Sequence, residues 1–224
     1  AFFAAHESLV ILSLYLVGII VAVIVAFILR KTTFKEMSAP FVMELPDYKL
    51  PTIRGILMHT LEKSWGFIKK AGTIILVASI VIWMLSYFPA GVEYGSQESA
   101  IGTIGTVIAP VFAPLGFGEW QPAVALAFGL VAKEVVVGTF SSLFGVAEEG
   151  AGIAAAMHGI FTPLTAYVFM VFVLLYIPCF AALGAIKQET GGWKYPLIMS
   201  AVTLVTAYAV SFIVYMVGLG LGLG

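Results

Sequence analysis

Long uncharged runs divide the chain at Ser8 to Leu29, Ala71 to Val92, Gly150 to Ile186 and Tyr195 to Gly224. Each reaches the ~20 residues that a helix rising about 1.5 Å per residue needs to cross the hydrocarbon, so four spanning helices are expected. From Thr52 to Lys70 the pattern changes. Ile53, Ile56, Leu57, Leu61, Trp65 and Ile68 recur at helical spacing while Arg54, Glu62, Lys63 and Lys69 take other faces. That is the pattern of a helix lying in the membrane interface, or of an amphipathic helix docked on the protein itself. Just before it, SAPFVMELPDYKLP carries Pro40, Pro46 and Pro51 and is expected to be extended and irregular.

Two further apolar stretches are interrupted. Ser99 to Gly118 is uncharged but broken by Gly102, Gly105, Pro110, Pro114, Gly116 and Gly118, which predicts a helix that enters and turns back, or an interfacial loop. Trp120 to Ala147 is apolar except for Lys133 and Glu134 at its middle, with 13 uncharged residues on either side. Its pattern fits a full crossing and a re-entrant segment equally. The expected fold class is therefore an all-α, polytopic transmembrane helical bundle with broken or re-entrant helices and an interfacial amphipathic helix.

Composition sharpens this picture. Of 224 residues, 61% are hydrophobic and 10% charged, against roughly 25% charged residues in soluble domains. A formal net charge of −1 without a basic stripe gives no electrostatic footprint for nucleic acid. The first run lacks a basic segment ahead of it and is too long for a signal-peptide core, so it reads as a span, and the chain as the rear part of something longer. Eight of the eleven Lys and Arg residues lie between Arg30 and Lys70, which by the positive-inside rule makes that connection cytoplasmic. Residues 71–132 hold none, although Glu93, Glu98 and Glu119 are present, so the loop around Pro89 to Gly118 is expected to face outward. The side of the membrane reached by Lys187 and Lys194 depends on whether Trp120 to Ala147 crosses, and stays open.

Candidate chemistry concentrates at two places. An ionisable residue near mid-membrane costs roughly 2.5–3.5 kcal/mol on insertion scales, so Lys133 and Glu134 must face protein, water or cargo. On a continuous helix Glu134 shares a face with Gly138 and Ser141, an oxygen-bearing patch with room for a close neighbour; an ion pair fixing helix register is the alternative. The second place is VFVLLYIPCFAALG, Val171 to Gly184. Pro178 has no N–H, which leaves the Leu174 carbonyl without its helical partner and predicts a kink or a break. Cys179, the single cysteine, follows at once. A carbonyl oxygen beside a soft sulfur suits a transition-metal cation, whereas an inert buried thiol at an ordinary proline kink is the plainer alternative. Tyr176 reads as packing or an interfacial anchor. His6, His59 and His158 have no metal-ligand spacing, and no GxxxxGK[ST], nucleophile-elbow or HExxH motif is present, so no enzymatic machinery is expected in this chain.

The segments PFVMELPDYKLPTIRGILMHTLEKSWGFIKKAGTIIL (40–76), APLGF (113–117), AKEVVVGT (132–139), FTPLTA (161–166) and YIPCFAALGAIKQETG (176–191), in that order, resemble the C-terminal membrane half of the ferrous iron transport protein B family. The resemblance covers nearly the whole chain. It implies a multi-pass inner-membrane importer of Fe²⁺, with GTP bound and hydrolysed by an N-terminal domain that, with a first membrane half, lies outside this sequence. It implies Fe²⁺ as cargo and no cofactor held by this chain. Small cytosolic accessory proteins of the iron system and a second copy of the chain are further candidate partners, beside the lipid bilayer. The resemblance carries Pro178 and Cys179 into a gate motif and Lys133 and Glu134 into a KEVVVGT segment. The expected metal ligands are Cys179, the Leu174 carbonyl and Glu134, with Lys133, Gly138 and Ser141 as intramembrane polar positions. A permease for a nucleoside-like solute and a non-transporting scaffold or receptor are the competing readings.

Overall fold

A computed structural model of the protein describes residues 2–3, 6–32, 52–89, 91–146 and 151–223. The proline-rich segment and most of the Arg30 to Lys70 connection's first half, residues 33–51, lie outside the described residues. Those described form an all-α membrane bundle without strands. In chain order the helices are α1 (Glu7–Thr32), α2 (Ile53–Tyr87), α3 (Ala100–Ile108), the 3₁₀ turn Ala109–Leu115, α4 (Trp120–Gly129), α5 (Val135–Phe144), α6 (Ala151–His158), α7 (Pro163–Leu175), α8 (Phe180–Thr190) and α9 (Lys194–Gly220).

Three helical stretches are long and apolar enough to cross a membrane: Glu7–Thr32, Pro163–Thr190 taken across its break, and Lys194–Gly220. The first span carries Glu7 in its first turn and Arg30 and Lys31 in its last, which suits the helix dipole at both ends. None of its residues is buried, and Leu9, Leu12, Tyr15, Ile19, Val23 and Phe27 are all more than half exposed. Lipid is the solvent that such a surface fits.

Three expectations need correction. The apolar run expected as a span from Ala71 to Val92 ends at Tyr87, because the chain turns extended at Phe88 ahead of Pro89. It is also continuous with the amphipathic stretch that precedes it. No proline or cap lies between Thr52, whose hydroxyl accepts from the Gly55 N–H, and Phe88, so one 35-residue helix replaces the expected pair. The run from Gly150 to Ile186 is likewise not one span: a Thr162/Thr165 capping box with Pro163 at the first helical position starts a new helix, separate from α6.

Ser99 to Gly118 does turn. The stretch Ala100–Leu115 and α4 are bent by 100° relative to each other, a geometry that serves a broken span or a re-entrant loop. Gly116, at φ 83°, takes the left-handed conformation that the corner requires. Glycine also sets the closeness of α3 and α4. A Cβ on Gly105 would lie 2.5 Å from Val124 Cγ2 and 2.7 Å from the Trp120 carbonyl oxygen, and the backbone contact cannot rotate away. Gly105→Ala is expected to destabilise the protein by about 1–3 kcal/mol, read as a lowered midpoint of thermal unfolding in detergent.

The core lies between this bent segment, α5 and α7. Phe117 meets Phe169 edge-on at 5.4 Å and 89°, Phe112 meets Phe172 at 5.4 Å and 81°, and Phe140 packs on Phe161 and Phe169. These are the perpendicular arrangements favoured by the aromatic quadrupole. Among the described residues α7 packs extensively on α9, where Gly218 admits the Leu164 side chain. A lipid-facing α1 leans on α7 through Gly18 against Leu174, and through the Ser13 and Tyr167 hydroxyls, 2.9 Å apart.

Candidate functional site

Two helix breaks abut inside the bundle. The first separates α4 from α5 at residues 130–134; the second separates α7 from α8 at residues 176–179. At the second, the chain runs extended through Tyr176 (ψ −176°) and Cys179 (φ −61°, ψ 158°), as expected from the missing N–H of Pro178 and its bias on the preceding residue. The last carbonyls of α7 thus face no helical donor.

Lys133 supplies a donor. Its Nζ donates to the Val173 carbonyl at 2.9 Å and to the Leu174 carbonyl at 3.2 Å, and stands 4.9 Å from the centre of the Tyr176 ring. An ammonium at the carbonyl end of a helix is favoured by the dipole as well as by the hydrogen bonds, and the ring face adds a cation–π attraction. The breaks pair in the other direction too: the Phe180 N–H, at the start of α8, donates to the Leu130 carbonyl at 3.0 Å. Each interruption therefore satisfies backbone groups exposed by the other, which is how non-helical chain is tolerated at membrane depth.

This arrangement corrects the expectation that Lys133 and Glu134 sit within a continuous helix. The helix opens at Leu130, and Lys133 turns toward α7 while Glu134 occupies the position before α5. The gain is that the Lys133 ammonium reaches two carbonyl oxygens of α7. Glu134 is exposed, at the positive end of α5, where a carboxylate is favoured by the dipole. Gly138 is half-buried in α5. Ser141 is buried, and its Oγ has no hydrogen-bond partner among the described residues.

Cys179 is a free, half-buried thiol. It lines a cavity of about 600 Å³ with Lys133, Leu174, Tyr176, Pro178 and Thr206, closed on one side by α1. A second cavity, about 580 Å³, lies between α5 and α7 and is lined by Phe140, Met157, Phe169 and Val173. Lys133 and Leu174 border both, whereas Glu134 borders neither. Among the described residues no group of three or more His, Cys, Asp and Glu side chains could hold a metal ion. The groups gathered around the two breaks are a pair of carbonyl oxygens held by the Lys133 ammonium, a thiol and a ring face.

Residue-by-residue reading of the sequence passed over three participants. Tyr176, 3% exposed, was read as packing or an anchor; its ring lies beneath the Lys133 ammonium and its hydroxyl has no partner. Gly129 makes room for that hydroxyl, since a Cβ there would run into it and lie 2.6 Å from Val136 Cγ2. The Val173 carbonyl carries no signal in a side-chain alphabet. A glycine four residues before an intramembrane lysine was the available clue to the first break.

Two family models match the chain. One, described as "Ferrous iron transport protein B C terminus", matches residues 11–63, and one described as "Nucleoside recognition" matches residues 68–193, more than half the chain. Among curated proteins, the Fe(2+) transporter FeoB of Staphylococcus aureus strain COL is 44% identical over 218 residues. That alignment takes in 97% of this chain and 32% of the relative. The Fe(2+) transporter FeoB of Methanocaldococcus jannaschii is 39% identical, over 97% of this chain and 33% of the relative. A Porphyromonas gingivalis protein named as a fusion of Fe(2+) transport protein A with Fe(2+) transporter FeoB is 34% identical, over 98% and 32%. The chain thus spans about a third of the length of these relatives. No solved structure matches it.

Proposed function

The chain belongs to the ferrous iron transport protein B family, as part of its C-terminal membrane region, and on that premise we propose that it forms part of the pathway by which Fe²⁺ crosses the inner membrane. The observation that carries this reading is the cavity of about 600 Å³ that reaches Cys179 where two broken helices meet. Broken helices whose freed carbonyl ends face a cavity are the means by which transporters bind ions at mid-membrane. Sulfur from Cys179 and oxygen from Leu174 act as transient ligands for the ion. Glu134, exposed outside both cavities, acts on the approach to them, with Gly138 and Ser141 as polar or small positions of α5 beside it.

The activity is that of the whole protein. GTP binding and hydrolysis in its N-terminal domain regulate the gate, and the basic connection from Arg30 to Lys70 is the cytosolic surface on which that domain docks. Small cytosolic accessory proteins join the system, in keeping with the relative that is named as a fusion with Fe(2+) transport protein A.

A reading as a permease for a nucleoside-like solute draws on the name of the second family model and on cavities within the roughly 300–1,000 Å³ range of small organic ligands. Relatives named as Fe(2+) transporters over 97% of the chain favour iron. The full-length family member carrying this sequence, reconstituted in liposomes under anaerobic conditions, is expected to admit Fe²⁺ when GTP is supplied and to leave labelled uridine outside. Uridine uptake without Fe²⁺ uptake would reverse the assignment, and neither would leave a scaffold. In the same assay Glu134→Gln is expected to slow Fe²⁺ influx a few-fold, the effect of one charge at an exposed approach. Unchanged influx at all ionic strengths removes Glu134 from the path.

A further inference from the structure

The Lys133 ammonium sits where a passing cation would sit. Its two carbonyl partners lie in the last turn of α7, at the negative end of that helix, and the Tyr176 ring lies on the third side. Nothing in this donor set is specific to an ammonium. Two carbonyl oxygens and a ring face attract any cation that has shed part of its water.

The position also has two neighbours. Lys133 and Leu174 are the residues common to the linings of the two cavities, so the contact between them forms the wall through which those cavities would join. Cys179 lies on one side of that wall, and Phe140 and Phe169 on the other.

We propose that Lys133 is a tethered cation: its ammonium fills the permeant ion's place on the Val173 and Leu174 carbonyls and closes the way between the two cavities until it is displaced. This rests on the reading of the chain as a cation path. Two positive charges cannot share the two carbonyls, because at contact distance the repulsion between them is strong in a partly buried site. Passage therefore requires the ammonium to leave as the ion arrives, and the flexible four-carbon stem of lysine allows that movement without refolding either break. Displacement by a divalent ion, which gains more from the same oxygens than a single ammonium does, is favoured over displacement by a monovalent one. Lys133 is then a gate and a first filter on ion charge, and the GTPase regulates how readily its ammonium vacates.

The test is Lys133→Met in the full-length protein, which keeps an unbranched side chain one atom shorter and removes the charge. Proteoliposomes holding a metal-quenched dye, without GTP, report Fe²⁺ influx. Wild type is expected to be closed under these conditions, and Lys133→Met to admit Fe²⁺ faster by at least roughly ten- to hundredfold, the range for one charge-assisted hydrogen bond. Lys133→Arg, which keeps the cation, is expected to remain closed. If Lys133→Met does not yield monodisperse protein, Lys133→Gln decides the matter, since its amide N–H still bonds one carbonyl without the charge; influx supports the inference and a tight membrane overturns it. A tight Lys133→Met protein beside GTP-dependent uptake by wild type overturns this inference alone, as does escape of the trapped dye itself. Wild type that takes up no Fe²⁺ even with GTP overturns the transport reading, and the tethered cation with it.

Discussion

Fe²⁺ uptake by the full-length protein is expected to fall at least roughly tenfold on Cys179→Ser, at matched expression, because even groups that only support a metal ligand contribute ten- to hundredfold. The substitution is chosen for what it leaves intact. Cys179 lies outside regular helix and is half-buried against a cavity, and its side chain makes no cap hydrogen bond at the start of α8. Serine fits that backbone and volume, so the fold is expected to hold. What changes is the donor, from a polarisable sulfur that ferrous iron binds well to a hard hydroxyl that it binds poorly. Radioactive iron accumulation in cells lacking other Fe²⁺ uptake measures the effect, with detergent-solubilised thermal midpoints as the control for folding. Uptake equal to wild type would make the thiol a packing residue and shift the site to the carbonyls alone.

Gly129→Val is expected to have an effect of similar size by a different route. A Cβ at Gly129 meets the Tyr176 hydroxyl and lies 2.6 Å from Val136 Cγ2, so any side chain there pushes α7 and α5 away from the end of α4. Overpacking of this kind costs about 1–3 kcal/mol, and here the displaced groups are those that join the two breaks. The Phe180 N–H to Leu130 carbonyl bond and the ring beneath Lys133 lie within a few residues of the clash. Thermal stability and iron uptake are expected to fall together. Gly129→Ala combined with Tyr176→Phe tests the geometry directly: removing the hydroxyl frees part of the space, and the double variant is expected to be more stable than the sum of the two single changes predicts. Strict additivity would show that the two residues do not meet.

The largest features of the fold were legible because the bilayer leaves few choices. An uncharged run of about 20 residues must pair its own backbone, and helix is the form in which a single segment does so; hence Ser8 to Leu29 and Tyr195 to Gly224 emerge as α1 and α9 within a few residues. Breaks at Pro178 and around Gly116 were legible for the same local reason, a missing donor and a residue with freedom at positive φ. Helix boundaries were less so. Hydropathy alone joined α6 to α7 across FTP, although Thr162 and Pro163 carry a start signal, and it divided α2 where no breaker exists.

Sequence by itself determined that this is a helical membrane protein, that Lys133 and Glu134 interrupt an otherwise apolar stretch, and that Pro178 deprives the Leu174 carbonyl of its helical donor. Only the tertiary structure decided where that carbonyl goes. A hydrogen bond between Lys133 and residues 40 and 41 positions further on leaves no periodic trace in the chain. It arises because the helix before Lys133 opens and the one carrying Leu174 ends at the same depth, and pattern along a sequence records each interruption but not that the two face each other.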